Sequence, residues 1–191
     1  MEIKINDKVI NLEAGNIYGL IMEDRLIKDN NTLVNNDYYE EVELLTEIEK
    51  KIAILIGVKD GKSFTNNKRK WLAKMIALKN NYLIIENFFS NFTYIDSNAF
   101  IKLFRNLCKK HNLIIVIKEN DTNFLIENCD YLINYTNLSM VNKHDYYLLD
   151  YGNLDKPDIL EFTNLVLEKN IKIKYFYNRL DLLKSLYRLV M

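Results

Sequence analysis

The sequence predicts an α/β fold built on a mainly parallel sheet covered on both faces, and three observations lead to it. From Tyr82 onward, short apolar runs alternate with segments of helical period. The runs themselves, such as Tyr82-Leu83-Ile84-Ile85 and Leu113-Ile114-Ile115-Val116-Ile117, lack polar alternation, as strands buried on both faces do. No internal repeat, low-complexity tract or linker divides the 191 residues, so residues 1–191 read as a single domain with one core.

Taken in order, the first third is β-rich. Ile3 to Ile5, Val9 to Leu12 and Asn16 to Met22 are short strand-like runs separated by Asn-Asp and Ala-Gly turn signals. A polar stretch from Lys28 to Asn36 follows. Helical period then begins near Asp37 and Tyr38 and continues through Val42, Leu45, Ile48, Ile52 and Ile56, with Gly57 placed to end that helix in a left-handed conformation. A second helix is expected from Asn67 to Leu78, with Leu72, Ala73, Ile76 and Ala77 on one face. After the strand at Tyr82, Ser97 is the expected N-cap of a helix carrying Phe100, Leu103, Phe104 and Leu107. The strand from Leu113, a short helix around Phe124 and the strand Tyr131-Leu132-Ile133 come next. Residues 136–191 then read as β-α-β-α: a strand from Tyr146 to Leu149, a helix from Pro157 to Lys169, a strand from Ile171 to Phe176 and a helix from Leu180.

Composition narrows the function classes. Basic and acidic residues balance at 26 each, so no net positive field gathers phosphates, and nucleic acid is not an expected partner. Aromatic residues at 12% argue against disorder. Cys108 and Cys129 form neither a disulfide framework nor a zinc set, and they fit a reducing compartment. No apolar run is long enough to cross a bilayer, and Met1 to Asn6 alternates like a strand and not like a signal peptide. The expected localisation is cytoplasmic, with any membrane contact made through a partner.

In a sheet of this kind ligands bind beyond the carboxyl ends of the strands, here Met22 to Lys28, Glu86-Asn87 and Lys118-Glu119-Asn120. Several segments around these ends resemble, in order and spacing, the ATP-binding-cassette (ABC) ATPases. Ala14 to Ile21 is similar to the strand that leads into the P-loop of those proteins, and Leu55 to Asp60 to the helix end before their signature motif. Phe64 to Met75 lies where the signature and its basic helix would fall. Tyr82 to Thr93 runs without a gap along the Walker B strand and D-loop, Phe100 to Leu107 along the next helix, Ile114 to Ile117 along the strand before the H-loop, and Asn128 to Ile133 along the segment after it. The likeness covers residues 1 to about 135 and is greatest to the ATPase subunits of Gram-positive antimicrobial-peptide and lantibiotic export and immunity transporters. It implies a P-loop NTPase-like sheet with flanking helices and a β-rich N-terminus. Residues 136–191 would be a C-terminal extension.

The motifs are eroded. A working P-loop reads G-x-x-x-x-G-K-[ST], whose glycine-bearing backbone wraps the phosphates. Here Met22 to Asp29 holds that register: Lys28 keeps the lysine, Met22 and Ile27 replace the glycines, and Asp29 replaces the hydroxyl that would bind Mg²⁺. The Walker B acidic pair becomes Glu86-Asn87, and an amide is no general base at neutral pH. Thr93 stands at the D-loop aspartate, none of Lys118, Glu119 or Asn120 is the H-loop histidine, and Asn66-Asn67 replaces the signature glycines beside Thr65. Between Lys28 and Leu55 the chain is too short for a full helical subdomain.

The resemblance therefore implies a catalytically inactive ABC-ATPase-like subunit of a transporter for peptide or bacteriocin export or immunity. It would pair with an active ATPase subunit or a membrane-spanning subunit, often as one half of a head-to-tail dimer, and no cofactor is expected. Lys28, Asp29, Thr65, Glu86 and Asn87 would be vestigial nucleotide-site positions. Phe88, Phe89, Thr93 and Arg69 would face the partner. Two alternatives stand beside it: weak, atypical binding and hydrolysis of ATP with Mg²⁺ through Lys28 and Glu86, and a free-standing interaction scaffold. Plainer readings apply to single residues: Lys28 as a solvated loop lysine, Glu86 as a hydrogen-bonded structural carboxylate, and Lys68-Arg69-Lys70 as a solvated helix face. His111 after Lys109-Lys110 complements a helix C-terminus. His144 has no evident partner.

Overall fold

The computed structural model describes residues 2–5, 8–21, 32–34, 43–59, 63–79, 81–89, 92–152 and 155–190. In chain order its elements are β1 (Glu2–Ile5), β2 (Lys8–Asn11), β3 (Ile17–Ile21), β4 (Thr32–Val34), α1 (Glu47–Leu55), α2 (Phe64–Ala77), β5 (Tyr82–Glu86), α3 (Tyr94–His111), β6 (Ile114–Lys118), α4 (Thr122–Asn128), β7 (Tyr131–Asn134), β8 (Ser139–Asn142), a 3₁₀ segment (Lys143–Leu148), α5 (Asp158–Glu168) and α6 (Arg179–Val190). Among the described residues, six strands form one sheet in the order β4-β5-β6-β3-β7-β8. Every pairing is parallel except that of β8 with β7. Parallel neighbours need crossovers: α3 supplies the one between β5 and β6, and α4 carries the chain from β6 past β3 to β7.

Alternation along the strands divides the core in two. Ile17, Ile21, Leu83, Ile85, Ile115, Ile117 and Leu132 pack with Leu72, Phe100, Phe104, Leu125, Ile159 and Leu182 from the helices. The intervening Tyr18, Leu20, Ile84, Ile114, Val116 and Ile133 pack with Ile10 and Leu12. The sheet is thus covered on both faces, as the sequence predicts, but the described cover of the second face is the β1–β2 hairpin. Gly19 shows how closely α4 lies on β3. A Cβ there would sit 3.0 Å from Cys129 Sγ and from Leu132 Cδ2, and 3.2 Å from the Leu125 Cβ.

Several boundaries differ from the sequence reading, each for a local reason. The helix expected from Asp37 is not continuous through Leu45, because Thr46 and Glu49 form a capping box that starts α1 at Glu47; residues 35–42 lie outside the described residues. Gly57 does follow that helix at φ +79°. The N-cap of α3 is Thr93 and not Ser97: its Oγ1 accepts from the Asp96 N–H at 3.2 Å and donates to the Asp96 carboxylate at 2.7 Å. Two strands went unforeseen. β4 lies within the polar stretch, and β8 is a four-residue edge strand.

The C-terminal β-α-β-α expectation is corrected at both strands. Residues 146–149 belong mainly to the 3₁₀ segment. Asn142 caps it by accepting from the His144 N–H, Tyr146 donates its hydroxyl to the Phe176 carbonyl at 2.8 Å, and Tyr151 donates to the Tyr146 carbonyl. Residues 171–176 join no ladder. They are held by side chains, with Tyr175 stacked on Tyr147 at 4.2 Å and bonded to Asn164.

Candidate functional site

The carboxyl ends of β5 and β6 carry the charges of the candidate site. Their register sets Glu86 beside Lys118. By the alternation of each strand both side chains fall on the hairpin face, and both are buried. The Lys118 ammonium donates to Glu86 Oε1 in a buried ion pair. A divalent cation approaching Glu86 would meet a positive charge already held at one of its two carboxylate oxygens, which works against Mg²⁺. Asn87 follows at φ +49°, a left-handed conformation that asparagine tolerates, and its N–H donates to the Lys118 carbonyl at 3.0 Å.

A second buried cation lies on the other side of the same turn. Lys68, on α2, is 2% exposed. Its ammonium donates to the Phe88 carbonyl and sits 4.6, 4.6 and 4.5 Å from the ring centroids of Phe64, Phe88 and Phe92. Burial pulls its pKa down to about 8, opposed by the Glu119 carboxylate. Glu119, one residue past β6, accepts from the Phe89 N–H at 2.9 Å, and burial raises its pKa against the pull of that bond and of Lys68. This corrects the reading of Lys68 as part of a solvated basic face: Phe64, Lys68 and Leu72 share the i, i+4 spacing of the buried side of α2.

Phe88 is the centre of an aromatic cluster. It is 0% exposed, with ring centroids 5.2 Å from Phe89, 5.6 Å from Phe92, 5.1 Å from Phe100 and 5.6 Å from Phe104. Phe89 is 8% exposed and lies 4.6 Å from Phe124. Both rings are therefore core, where the sequence reading puts a partner-facing surface. The buried edge-to-face packing, worth about 0.5–1.5 kcal/mol per pair beyond the area buried, explains the inward turn.

The remaining candidates are placed as follows. Thr93 is exposed at the start of α3. Thr65 is half-buried in the first turn of α2, its Oγ1 3.3 Å from Ser63 Oγ. Half-buried Arg69 donates to the Gly57 carbonyl at 2.7 Å, and its guanidinium lies 5.5 Å from the Phe100 ring. A Cβ on Gly57 would come 2.9 Å from that guanidinium, so the glycine serves both the left-handed turn and this contact. Lys28 and Asp29 lie outside the described residues, as does the rest of 22–31. The structure thus gathers Glu86, Asn87, Phe88 and Phe89 into one turn. It adds Lys68, Lys118 and Glu119, which the sequence reading did not count as site residues. Among the described residues no group of three or more His, Cys, Asp and Glu side chains could hold a metal ion. Cys108 and Cys129 are buried free thiols, with Cys108 pushed up to about 12 by burial.

No family model matches the sequence, and no curated protein matches it. Solved structures do resemble the fold. CbiO1 from Clostridium perfringens, part of the ABC transporter complex cbiONQ, aligns over 88% of this chain and 94% of its own, with TM-score 0.51 and 11% identity. A metal-chelate type ABC transporter in an inward-facing conformation aligns over 73% of this chain with TM-score 0.47 and 10% identity, and this chain spans only 62% of that one. The ATP-binding cassette MJ0796, as a dimer bound to ADP and Pi, aligns over 74% of this chain and 95% of its own, with TM-score 0.46 and 10% identity. The likeness to cbiO1 shows that this chain has the α/β fold of an ABC ATPase.

Proposed function

We propose that this chain is an ABC-ATPase-like subunit of a transporter that acts by association and does not turn over ATP. The observation that carries the reading is the buried Glu86–Lys118 pair: the carboxylate at the Walker B position is neutralised from within, and Asn87 beside it is no base. Apolar surface supports association. Tyr94 and Ile95, directly after Thr93, are exposed, as are Ile48, Ile54 and Leu55 on α1. The partner would be an active ATPase subunit, met through Thr65, Thr93, Arg69 and this surface, or a membrane-spanning subunit. Peptide or bacteriocin export or immunity is the process that the sequence resemblance favours. Among the described residues no helix is long and apolar enough to cross a membrane, which fits a subunit carried on a partner at the cytoplasmic face.

Phosphate release from Mg²⁺-ATP by the purified chain tests this reading. We expect none above the blank. Release that disappears in Lys28→Ala and Glu86→Gln would instead support an ATP-hydrolysing subunit. An active ABC ATPase subunit from the same source should bind the chain in an ATP-dependent way, less well after Thr93→Arg or Arg69→Ala. Pairing indifferent to nucleotide and to both substitutions would remove the mechanism.

A further inference from the structure

The last helix exposes more of its apolar side chains than it buries. α6 turns Leu182 into the core with Leu186 beside it, while Leu180, Leu183 and Tyr187 are 70%, 51% and 69% exposed. Those three follow the i, i+3, i+7 spacing of one helical stripe. On the helical wheel Lys184 and Arg188 border the stripe on one side and Arg179 on the other. Beside Lys184 and Arg188, a groove of about 710 Å³ between α6 and the extended segment 171–176 is also lined by Lys172, Lys174 and Asp181. Residues 171–190 hold five basic side chains against one acidic, a net charge of +4 in a chain whose total is zero. The ion pairs here, Lys184 with Asp181 at 3.4 Å and Arg179 with Asp158 at 3.0 Å, are solvent-exposed and weak.

We infer that α6 and the segment before it form a docking surface for an anionic lipid bilayer, independent of the function proposed above. The helix lies in the interface plane with Leu180, Leu183 and Tyr187 entering the boundary between headgroups and acyl chains. Basic side chains on both flanks reach the headgroups, and the basic groove meets the same surface. A bilayer accepts such a stripe without a shape-matched cleft. The charge complementarity specifies anionic lipid, because neutral headgroups would leave the concentrated positive charge unanswered.

Co-sedimentation of the purified chain with vesicles tests the inference, comparing phosphatidylcholine alone with phosphatidylcholine mixed with phosphatidylglycerol. Binding to the mixed vesicles is expected, weakening with added salt. Lys184→Gln and Arg188→Gln should each lower the partition about fivefold. Leu183→Asp combined with Tyr187→Asp should abolish it. All four positions are exposed, so an unchanged thermal midpoint verifies folding, and Lys109→Gln with Lys110→Gln at the end of α3 serves as a charge control that should leave binding intact. Equal sedimentation with both vesicle types, an equal loss in the control, or no sedimentation at all would overturn the proposal. Binding to polyglutamate without binding to vesicles would assign the surface to an acidic protein instead.

Discussion

Two lysines decide what the turn after β5 can do, and both are held by burial. Lys118 and Glu86 come from adjacent strand ends, so each desolvated charge answers the other. Removing one partner of a buried pair costs about 3–5 kcal/mol, while replacing both with apolar residues is often neutral. Lys118→Met should therefore lower the unfolding free energy by about that amount in urea titration, and Glu86→Leu with Lys118→Met should recover most of it. A single variant as stable as the parent would deny the pair its structural role. Lys68 is the reverse case, a cation whose charged form the fold disfavours. Its pKa of about 8 lies below the ordinary lysine value of 10.5. Between these values the unfolded chain holds a proton that the native chain has released, so stability rises with pH across that window, and the penalty is fully present below it. The stability difference between the parent and Lys68→Met should therefore shift in the parent's favour from pH 8 to 10.5. A constant difference would mean that Lys68 is more solvated than its position implies.

At the scale of elements, caps and partners set boundaries that propensity alone leaves open. Thr93→Ala should destabilise the protein by about 1 kcal/mol through loss of the α3 N-cap, read from the thermal midpoint, whereas Ser97→Ala should have little effect. The central strands were legible because burial on both faces leaves them apolar along their length, and β3, β5, β6 and β7 lie within two residues of their expected bounds. The edge strands β4 and β8 were not, since Thr32–Val34 has only three residues and Ser139–Asn142 only four, with two polar residues at its ends. Tyr146 to Leu149 has strand-like composition, but the hydroxyls of Tyr146 and Tyr151 and the Asn142 cap hold a 3₁₀ turn. Ile171 to Phe176 alternates like a strand, yet it rests on aromatic stacking and joins no ladder. In the site, Glu86 and Asn87 were legible as a strand end. The partnership with Lys118 was not, because it depends on β5 lying next to β6. The spacing Phe64, Lys68, Leu72 did carry the signal that Lys68 is buried, obscured by its neighbours Arg69 and Lys70.

For the whole molecule, fold is one question and activity another. The sheet order, the parallel pairing and the two-sided cover give the chain the fold of an ABC ATPase, but function resides in sites. At this site Lys118 is paired with Glu86, and Lys68 sits in an aromatic cage, donating to the Phe88 carbonyl, with the Glu119 carboxylate favouring its charged form. The proposal that the chain acts by association rests on this arrangement and on the exposed apolar residues of α1 and the start of α3. Isothermal titration of the purified chain with Mg²⁺-ATP, carried to millimolar concentration, tests that account most directly. No saturable heat and no thermal-shift response are expected; saturable binding that needs Mg²⁺ and is lost in Glu86→Gln would mean that the site still takes nucleotide.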